Sequence, residues 1–437
     1  MDKTKENYIT ADIYKGFYYN KDLDTSTIIK EYSVIETVLD QARFIACITI
    51  QIPHLRRAEY QYGSHIYNDL LVQTNSILKE LKNKIFRSED ILIIDLFEVD
   101  TFVLFLSPPR DDNTQMLDHI EPMVERARRE IEDRIFNLFY PYTKEYSKPA
   151  IGYSLIINNP MVNNMRLIMG LVHQSKRMGE FLAERQKYQS LYQLQKLILN
   201  NEVRTVFQAI VDVKSLAVIG YEALSRGPTD SEFSSPLLMF LLATEFGLTF
   251  ELDSLCRKTA FESARHIDTD TKIFVNTLPM TIHDPEFRGQ YLQDLLNDLK
   301  IKPENVVFEV NEGLAIDNYE LFKGALKDYS DIGIVHASDD IGRGYADLER
   351  ILELAPGFMK LDISMVRDID QSYIKQQMVK AMISLAHNIS SKIIAEGVER
   401  KDEFETLKAL GVDYVQGYLF GLPSEKVGPI DMSLFLE

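Results

Sequence analysis

From about residue 200 onward, short apolar runs alternate with longer stretches whose apolar residues recur at helical spacing. The runs are TVFQAIV, AVIGYEAL, KIFVNTL, NVVFEVNE, IGIVHASDD, GFMKLDI, KIIAEGVE and DYVQGYLF, eight in all. Segments such as SSPLLMFLLATEFG and QQMVKAMISLAHNI lie between them. Only DVKSL separates the first two runs, which predicts a hairpin. Eight strands mostly alternating with helices predict an α/β fold, a (β/α)8-like, TIM-type barrel. Residues from about 12 to 175 read differently. There RFIACITIQI, ILIIDLFEVDTFVLFL and PAIGYSLII predict strands, and NDLLVQTNSILKELKNKI and PMVERARREIEDRIF predict helices, giving a separate α/β domain. Between the two lies GEFLAERQKYQSLYQLQKLIL, with Phe181, Leu182, Tyr188, Leu191, Leu194 and Ile198 at helical spacing. It predicts either a helix packed on a neighbour or a stalk that pairs in a dimer and couples the domains. The expected boundaries are 12–176, 177–199 for the linker helix, and 200–437.

The polar residues inside the barrel pattern are placed systematically. Glu222, Asn276, Glu309, Asp339, Lys360, Glu396 and Gln416 each sit at or near the C-terminal end of a different run. In a barrel those ends converge on one mouth, the face on which such barrels carry chemistry. A single strand-end carboxylate is ordinarily a helix cap or a surface charge. Recurrence at seven strand ends is the pattern of a site.

Composition narrows the reading. At 437 residues and 45% hydrophobic, the chain exceeds what one core usually supports and fits two soluble domains. A formal charge of −18 argues against nucleic acid or an anionic membrane as partner, because both need clustered cations. Cys47 and Cys256 lie far apart in apolar segments without metal spacing, which predicts two core residues in a reducing compartment. The polar start MDKTKENYIT does not read as a signal peptide, and no apolar run approaches the roughly 20 residues of a membrane span. A cytoplasmic location is expected.

Glu222, Glu309, Asp339, Asp340 and Glu396 would place five carboxylates around one pocket. Unpaired like charges at that spacing force protonation or unfolding, so the cluster implies bound cations. With Asn276 as a neutral oxygen donor and no His or Cys at these strand ends, the donor set favours Mg2+ or Mn2+ over Zn2+. Adjacent Asp339 and Asp340 suit two ions, the usual device for in-line attack on a phosphodiester. Lys360 can orient the attacking water and Glu396 can take its proton.

The spaced motifs VFQAIVD, YEALSRG, FVNTLP, FEVNEG, DDIGRGYADL, KLDISMV, IIAEGVE and VQGYLFGLP together resemble the EAL domain, the family of cyclic di-GMP phosphodiesterases, over about residues 200 to 425. The resemblance implies hydrolysis of cyclic di-GMP to linear pGpG with two ions. Glu222, Asn276, Glu309 and Asp339 would hold one ion, and Asp339, Asp340 and nearby Glu396 the other. Lys360 and Glu396 would position and activate the water, Gln208 and Arg226 would contact the dinucleotide, and Gln416 would complete the pocket. Asp362 and Glu399 would act around that shell or on the substrate side, and Glu312 would brace the loop that begins at Asp339. Two departures stand out: Asn311 where the family has Thr, and Ile341 and Arg343 where it has Phe and Thr. They keep open a non-hydrolysing receptor that signals through the linker helix, with an interaction scaffold as a third reading.

The N-terminal half is similar to the GGDEF domain, the diguanylate cyclase fold, through DIYKGFYYNK, QIPHLRRAEYQYGSHIYNDLL, EVDTF, IGYSLI and GLVHQSKRMG. By that resemblance the catalytic parts are lost: Gln51 stands for a metal-binding Asp, Glu59 and Tyr60 for Asn and Asp, Glu98 and Val99 for the signature glycines, and Thr101 for its acidic fourth position. An inactive regulatory or dimerising domain is therefore expected, with GTP or another nucleotide as a candidate ligand and a homodimer as the expected assembly. RSED at 87–90 matches the bare RxxD pattern of the family's inhibitory site, at an offset that favours coincidence.

Overall fold

The computed structural model describes residues 19–95, 100–107, 115–145, 148–310, 319–342, 353–428 and 430. It divides into two units, 1–192 and 193–437. In the first unit, strands β1 (Tyr19–Asn20), β2 (Thr25–Thr27), β3 (Phe44–Gln51), β4 (Ile91–Ile94), β5 (Thr101–Leu106) and β6 (Ala150–Ile157) form one sheet in the order β1-β2-β4-β5-β3-β6. Only the β2–β4 pair is parallel. Strand β3 shows why the sheet needs cover on both faces. Ala46, Ile48 and Ile50 join a core with helices Ser64–Lys84 and Gln115–Thr143, whereas Ile45 and Cys47 join another with Ile28–Ala42 and Asn164–Leu199. Period-two alternation thus feeds two cores from one apolar run. Asn164–Leu199 seats closely on β6, because a Cβ on Gly152 would fall 1.9 Å from the Ser175 carbonyl, and Thr49 Oγ1 meets Ser175 Oγ at 2.9 Å. The linker expected over 177–199 is the second half of this single helix.

In the second unit, β7 (Arg204–Asp212), β8 (Val218–Arg226), β9 (Lys272–Asn276), β10 (Val306–Val310), β11 (Val335–Ile341), β12 (Phe358–Leu361), β13 (Lys392–Ala395) and β14 (Tyr414–Val415) close into a barrel. The hairpin predicted between the first two runs is present. Strand β7 is antiparallel to both neighbours, β8 and β14, and every other pair is parallel. Helices Thr249–Ala264, Gly289–Leu299, Tyr319–Asp331, Tyr373–Asn388 and Lys401–Leu410 cover the outside with apolar faces. Both cysteines are buried and free, as their apolar surroundings predict.

His336, early in β11, carries a testable consequence of this packing. Burial lowers its imidazole from 6.5 to about 4. The folded chain therefore keeps it neutral where the unfolded chain takes up a proton. Stability is expected to fall by up to about 3 kcal/mol as pH drops from 6.5 toward 4. Urea titrations of His336→Gln across that window should show a flatter acid limb than the parent.

Candidate active site

Ile210, Phe274, Val307, Ala337, Phe358 and Ile394 form one buried cluster inside the barrel. Strand side chains alternate with period two, so the residue two positions nearer the mouth points the same way, one layer higher. On the parallel strands those residues are Asn276, Glu309, Asp339, Lys360 and Glu396. Strand β7 runs in the opposite direction, and there the same layer is reached two positions back, at Gln208. Gly220 with Glu222, and Tyr414 with Gln416, repeat the relation on β8 and β14. Gly220 is required at its level, since a Cβ would come within 3.0 Å of the Phe274 ring. One apolar layer therefore floors one polar layer.

Lys360 is the centre of that polar layer. Its side chain is only 1% exposed, and Nζ lies 2.6 Å from Glu309 Oε1, 2.6 Å from Glu396 Oε1, 3.4 Å from Asp339 Oδ1 and 3.5 Å from Glu222 Oε2. Burial alone would lower the lysine's pKa, but Asp339, Glu222, Glu309 and Glu396 together raise it well above its ordinary value. One fixed positive charge thus faces four carboxyl groups. Burial, reinforced by Glu222, pushes Glu309 well above the usual carboxylate range despite Lys360. Glu396 is pushed up to about 8 by burial, against the pull of Lys360. Burial also acts to raise Glu222, but Lys360 and the amides of Gln416 and Asn276 outweigh it and leave the group below its ordinary value. Those amides donate to Glu222 at 2.6 Å from Gln416 Nε2 and 3.0 Å from Asn276 Nδ2. Gln416 also donates to Gln208 Oε1 at 3.0 Å, and Gln208 to the Gly421 carbonyl at 3.2 Å.

Adjacent Asp339 and Asp340 would point to opposite faces of a regular strand. Strand β11 avoids this with a register shift between Ser338 and Ile341, and Asp340 takes a left-handed backbone at φ +58. Such a bulge re-aims side chains, and Asp is among the few non-glycine residues that tolerate that conformation. One carboxylate oxygen from each of Asp339, Asp340 and Glu396 consequently lies within 4.8 Å of the others. Glu309 Oε2 is buried without a hydrogen-bond partner, and Asp339 Oδ1 faces only the long 3.4 Å approach of Lys360 Nζ. A buried orphan acceptor, an all-oxygen donor set and a deficit of positive charge are the arrangement that hard divalent cations fit.

Two cavities meet at Glu222 and Leu224. One of about 400 Å³ is lined by Gln208, Asp339, Lys360, Glu396, Glu399 and Tyr418, among others. The other, of about 350 Å³, is lined by Asn276, Glu309, Arg226, Phe240, Asp253 and Cys256. Arg226 donates to the Ser225 carbonyl at 2.8 Å, and its burial beside Arg204 lowers its pKa. Asp362 accepts from the Ser364 amide at 2.8 Å and caps the short helix Ile363–Val366, which makes it a support of the loop after Lys360. Glu399 stands at the rim, 3.7 Å from Arg367, and is not one of the groups around Lys360. Ile341 is buried in the barrel core. Glu312, Asn311, Arg343, Glu98 and Val99 lie outside the described residues.

The sequence reading passed over an ion-pair cluster that includes Asp253, a lining residue of the second cavity. Arg257, fully buried, lies 2.9 Å from Asp253 and from Asp284 and 4.2 Å over the Phe287 ring. Asp253 also accepts from Thr281 Oγ1, so the segment that follows Asn276 is pinned to helix Thr249–Ala264. The signal was present: Asp253 and Arg257 stand four apart on a helix that carries Leu252, Leu255, Cys256, Ala260 and Phe261 to the core.

A family model described as EAL domain matches residues 192–423, more than half of the chain. The chain belongs to the EAL domain family. An uncharacterized Synechocystis protein is 24% identical over 97% of this chain and 62% of its own length. The cyclic di-GMP phosphodiesterase PdeF of Escherichia coli is 26% identical over 65% of this chain and 40% of its own. The chain thus spans less than two thirds of the length of these curated relatives. Among solved structures, the FimX EAL domain of Xanthomonas citri in complex with c-diGMP is similar at a TM-score of 0.51 and 20% identity, covering 57% of this chain and 99% of that one, which is a likeness of fold. Residues 221–226 of the EAL stretch YEALSRG are the mouth-side part of β8 and deliver Glu222 to Lys360. No described helix is long and apolar enough to cross a membrane.

Proposed function

We propose that this EAL domain hydrolyses cyclic di-GMP to pGpG, with Glu222, Asn276, Glu309, Asp339, Asp340 and Glu396 as the residues that hold two Mg2+ or Mn2+ ions. The observation that carries the reading is the polar layer around Lys360, in which four carboxyl groups face one buried lysine and one oxygen each of Asp339, Asp340 and Glu396 lies within 4.8 Å of the others. Its relatives include proteins named cyclic di-GMP phosphodiesterases. When bound, such ions supply positive charge against a phosphate and make water in the site more acidic.

The chain's own groups then have distinct tasks. Lys360 keeps its proton and presents a fixed cation next to the developing negative charge. Glu396, whose side chain is 21% exposed, combines solvent access with a raised pKa, which suits it to accept the proton of water. Gln416 and Asn276 hold Glu222 in the ionised form. Gln208 and Arg226 are the substrate-side groups of the two cavities, with Glu399 at the rim. Residues 12–176 are proposed to act as a regulatory GGDEF-like domain without cyclase activity. Gln51 and Thr101, paired across β3 and β5, support that reading because neither supplies a carboxylate where two-metal attack on GTP needs one.

The full chain, incubated with cyclic di-GMP and Mn2+ or Mg2+, should yield pGpG, and EDTA should stop it. Glu222→Gln should remove at least about 99% of the turnover. Tight binding of the dinucleotide without product under all metal conditions would instead favour the receptor.

A further inference from the structure

Strands β7 and β8 run antiparallel, so the first residue of one lies opposite the last residue of the other at the mouth of the barrel. Both residues are arginines: Arg204 and Arg226 are direct partners in the register of the hairpin. Counting by twos from Glu222 along β8 reaches Leu224 and then Arg226, and counting back by twos from Gln208 along β7 reaches Val206 and then Arg204. Both arginines therefore belong to the face of the hairpin that carries Glu222 and Gln208, nearer the rim. Like charges directly opposite one another on one face of an antiparallel pair repel. The repulsion is felt at Arg226, whose pKa is lowered by burial and then by Arg204. Arg204 has a counter-ion: Nη1 lies 2.7 Å from Glu425 Oε1, in a pair whose side chains are 42% and 62% exposed. Arg226 makes no ion pair among the described residues and donates from Nη1 to the Ser225 carbonyl. In a chain of net charge −18, two opposed arginines that share one exposed carboxylate leave room for a further anion.

We infer that Arg204, together with Arg226, binds the phosphodiester of cyclic di-GMP that is not under attack, which makes Arg204 a substrate-binding residue that the sequence pattern did not single out. The inference rests on the hydrolytic reading of the mouth. Lys360 and the carboxyl groups, deeper in the barrel, serve the phosphate being cleaved. The substrate has a second phosphodiester with its own negative charge, and the cavity that Arg226 lines meets the one around Lys360 at Glu222 and Leu224. A planar guanidinium presents paired donors to phosphate oxygens, so two of them side by side hold one phosphodiester by both of its free oxygens. To do so Arg204 has to leave Glu425, and an exposed ion pair of that kind is weak.

Steady-state hydrolysis by the full chain in Mn2+ tests it. Arg204→Gln should raise KM roughly 10-fold while kcat falls by less than about 3-fold, and Arg204→Lys should recover part of the loss. Glu425→Gln carries the opposite sign: it frees Arg204 from its counter-ion, and KM should fall about 2-fold. A merely structural ion pair would make the Arg204→Gln and Glu425→Gln variants alike. Urea midpoints should stay parental throughout, because the pair is exposed. A parent that binds cyclic di-GMP without cleaving it ends the hydrolytic reading alone, and the same opposite shifts are then expected in the dissociation constant, measured in the same buffer. Parental KM and dissociation constant in Arg204→Gln overturn the inference, as do shifts of one sign in Arg204→Gln and Glu425→Gln. A parent that neither cleaves nor binds the dinucleotide overturns it together with that reading.

Discussion

Lys360→Met is expected to slow cyclic di-GMP hydrolysis by roughly 1,000-fold and to destabilise the metal-free protein by about 3–5 kcal/mol. The two effects share one cause. Lys360 is the buried cation that Glu309 and Glu396 both approach at 2.6 Å, with Asp339 and Glu222 within 3.5 Å. Methionine fills much of the same volume, so the loss is one of charge rather than of packing. Left facing one another, the carboxyl groups must take up protons or move apart. Divalent ions would replace the missing charge for folding but not at the position that the proposed mechanism gives Lys360 beside the reacting phosphate. Urea unfolding should therefore show a larger stabilisation by Mn2+ in the variant than in the parent, while single-turnover rates stay low at saturating metal. A variant that hydrolyses at the parent rate would show that Lys360 is a structural counter-ion only.

The second large effect is expected at Asp340, where charge and backbone conformation can be separated. Asn also tolerates φ near +58, so Asp340→Asn keeps the bulge and removes one carboxylate from the group of Asp339, Asp340 and Glu396. Turnover should fall by roughly 100- to 1,000-fold with stability changed by less than about 0.5 kcal/mol. Asp340→Val should lose turnover as fully and cost a further 1–2 kcal/mol or so, because a β-branched side chain is disfavoured in that region. The Mn2+ concentration for half-maximal activity, measured for Asp340→Asn, separates lost ion affinity from lost chemistry. If asparagine leaves that concentration and the rate at parental values, Asp340 holds no ion.

How much of this was legible beforehand differs from residue to residue. Asn276, Glu309, Asp339, Lys360 and Glu396 could be placed on one face because each follows an interior apolar residue by two positions, and that period is a property of the strand itself. Gln208 was harder to assign, because its strand runs the other way and the rule must be read backwards along β7. The ion pair of Arg257 with Asp253 and Asp284 was missed for a different reason: its partners come from two segments whose meeting depends on the barrel having closed. On helix Asn164–Leu199, spacing grouped Phe181, Leu182, Tyr188, Leu191, Leu194 and Ile198, yet Phe181 and Tyr188 are exposed and Leu194 is buried, because spacing alone does not say which face the fold covers.

By itself the sequence determined the alternation of strands and helices, the hairpin that starts the barrel, and the set of polar strand ends, all of which follow from local periodicity. Tertiary structure alone decided that one lysine sits among four carboxyl groups, that the bulge in β11 turns both Asp339 and Asp340 toward Glu396, and that Gln416 and Asn276 keep Glu222 ionised. Periodicity is set by neighbours along the chain. Charge state and side-chain convergence are set by burial and by groups tens to hundreds of residues away, brought together only when the last strand closes on the first.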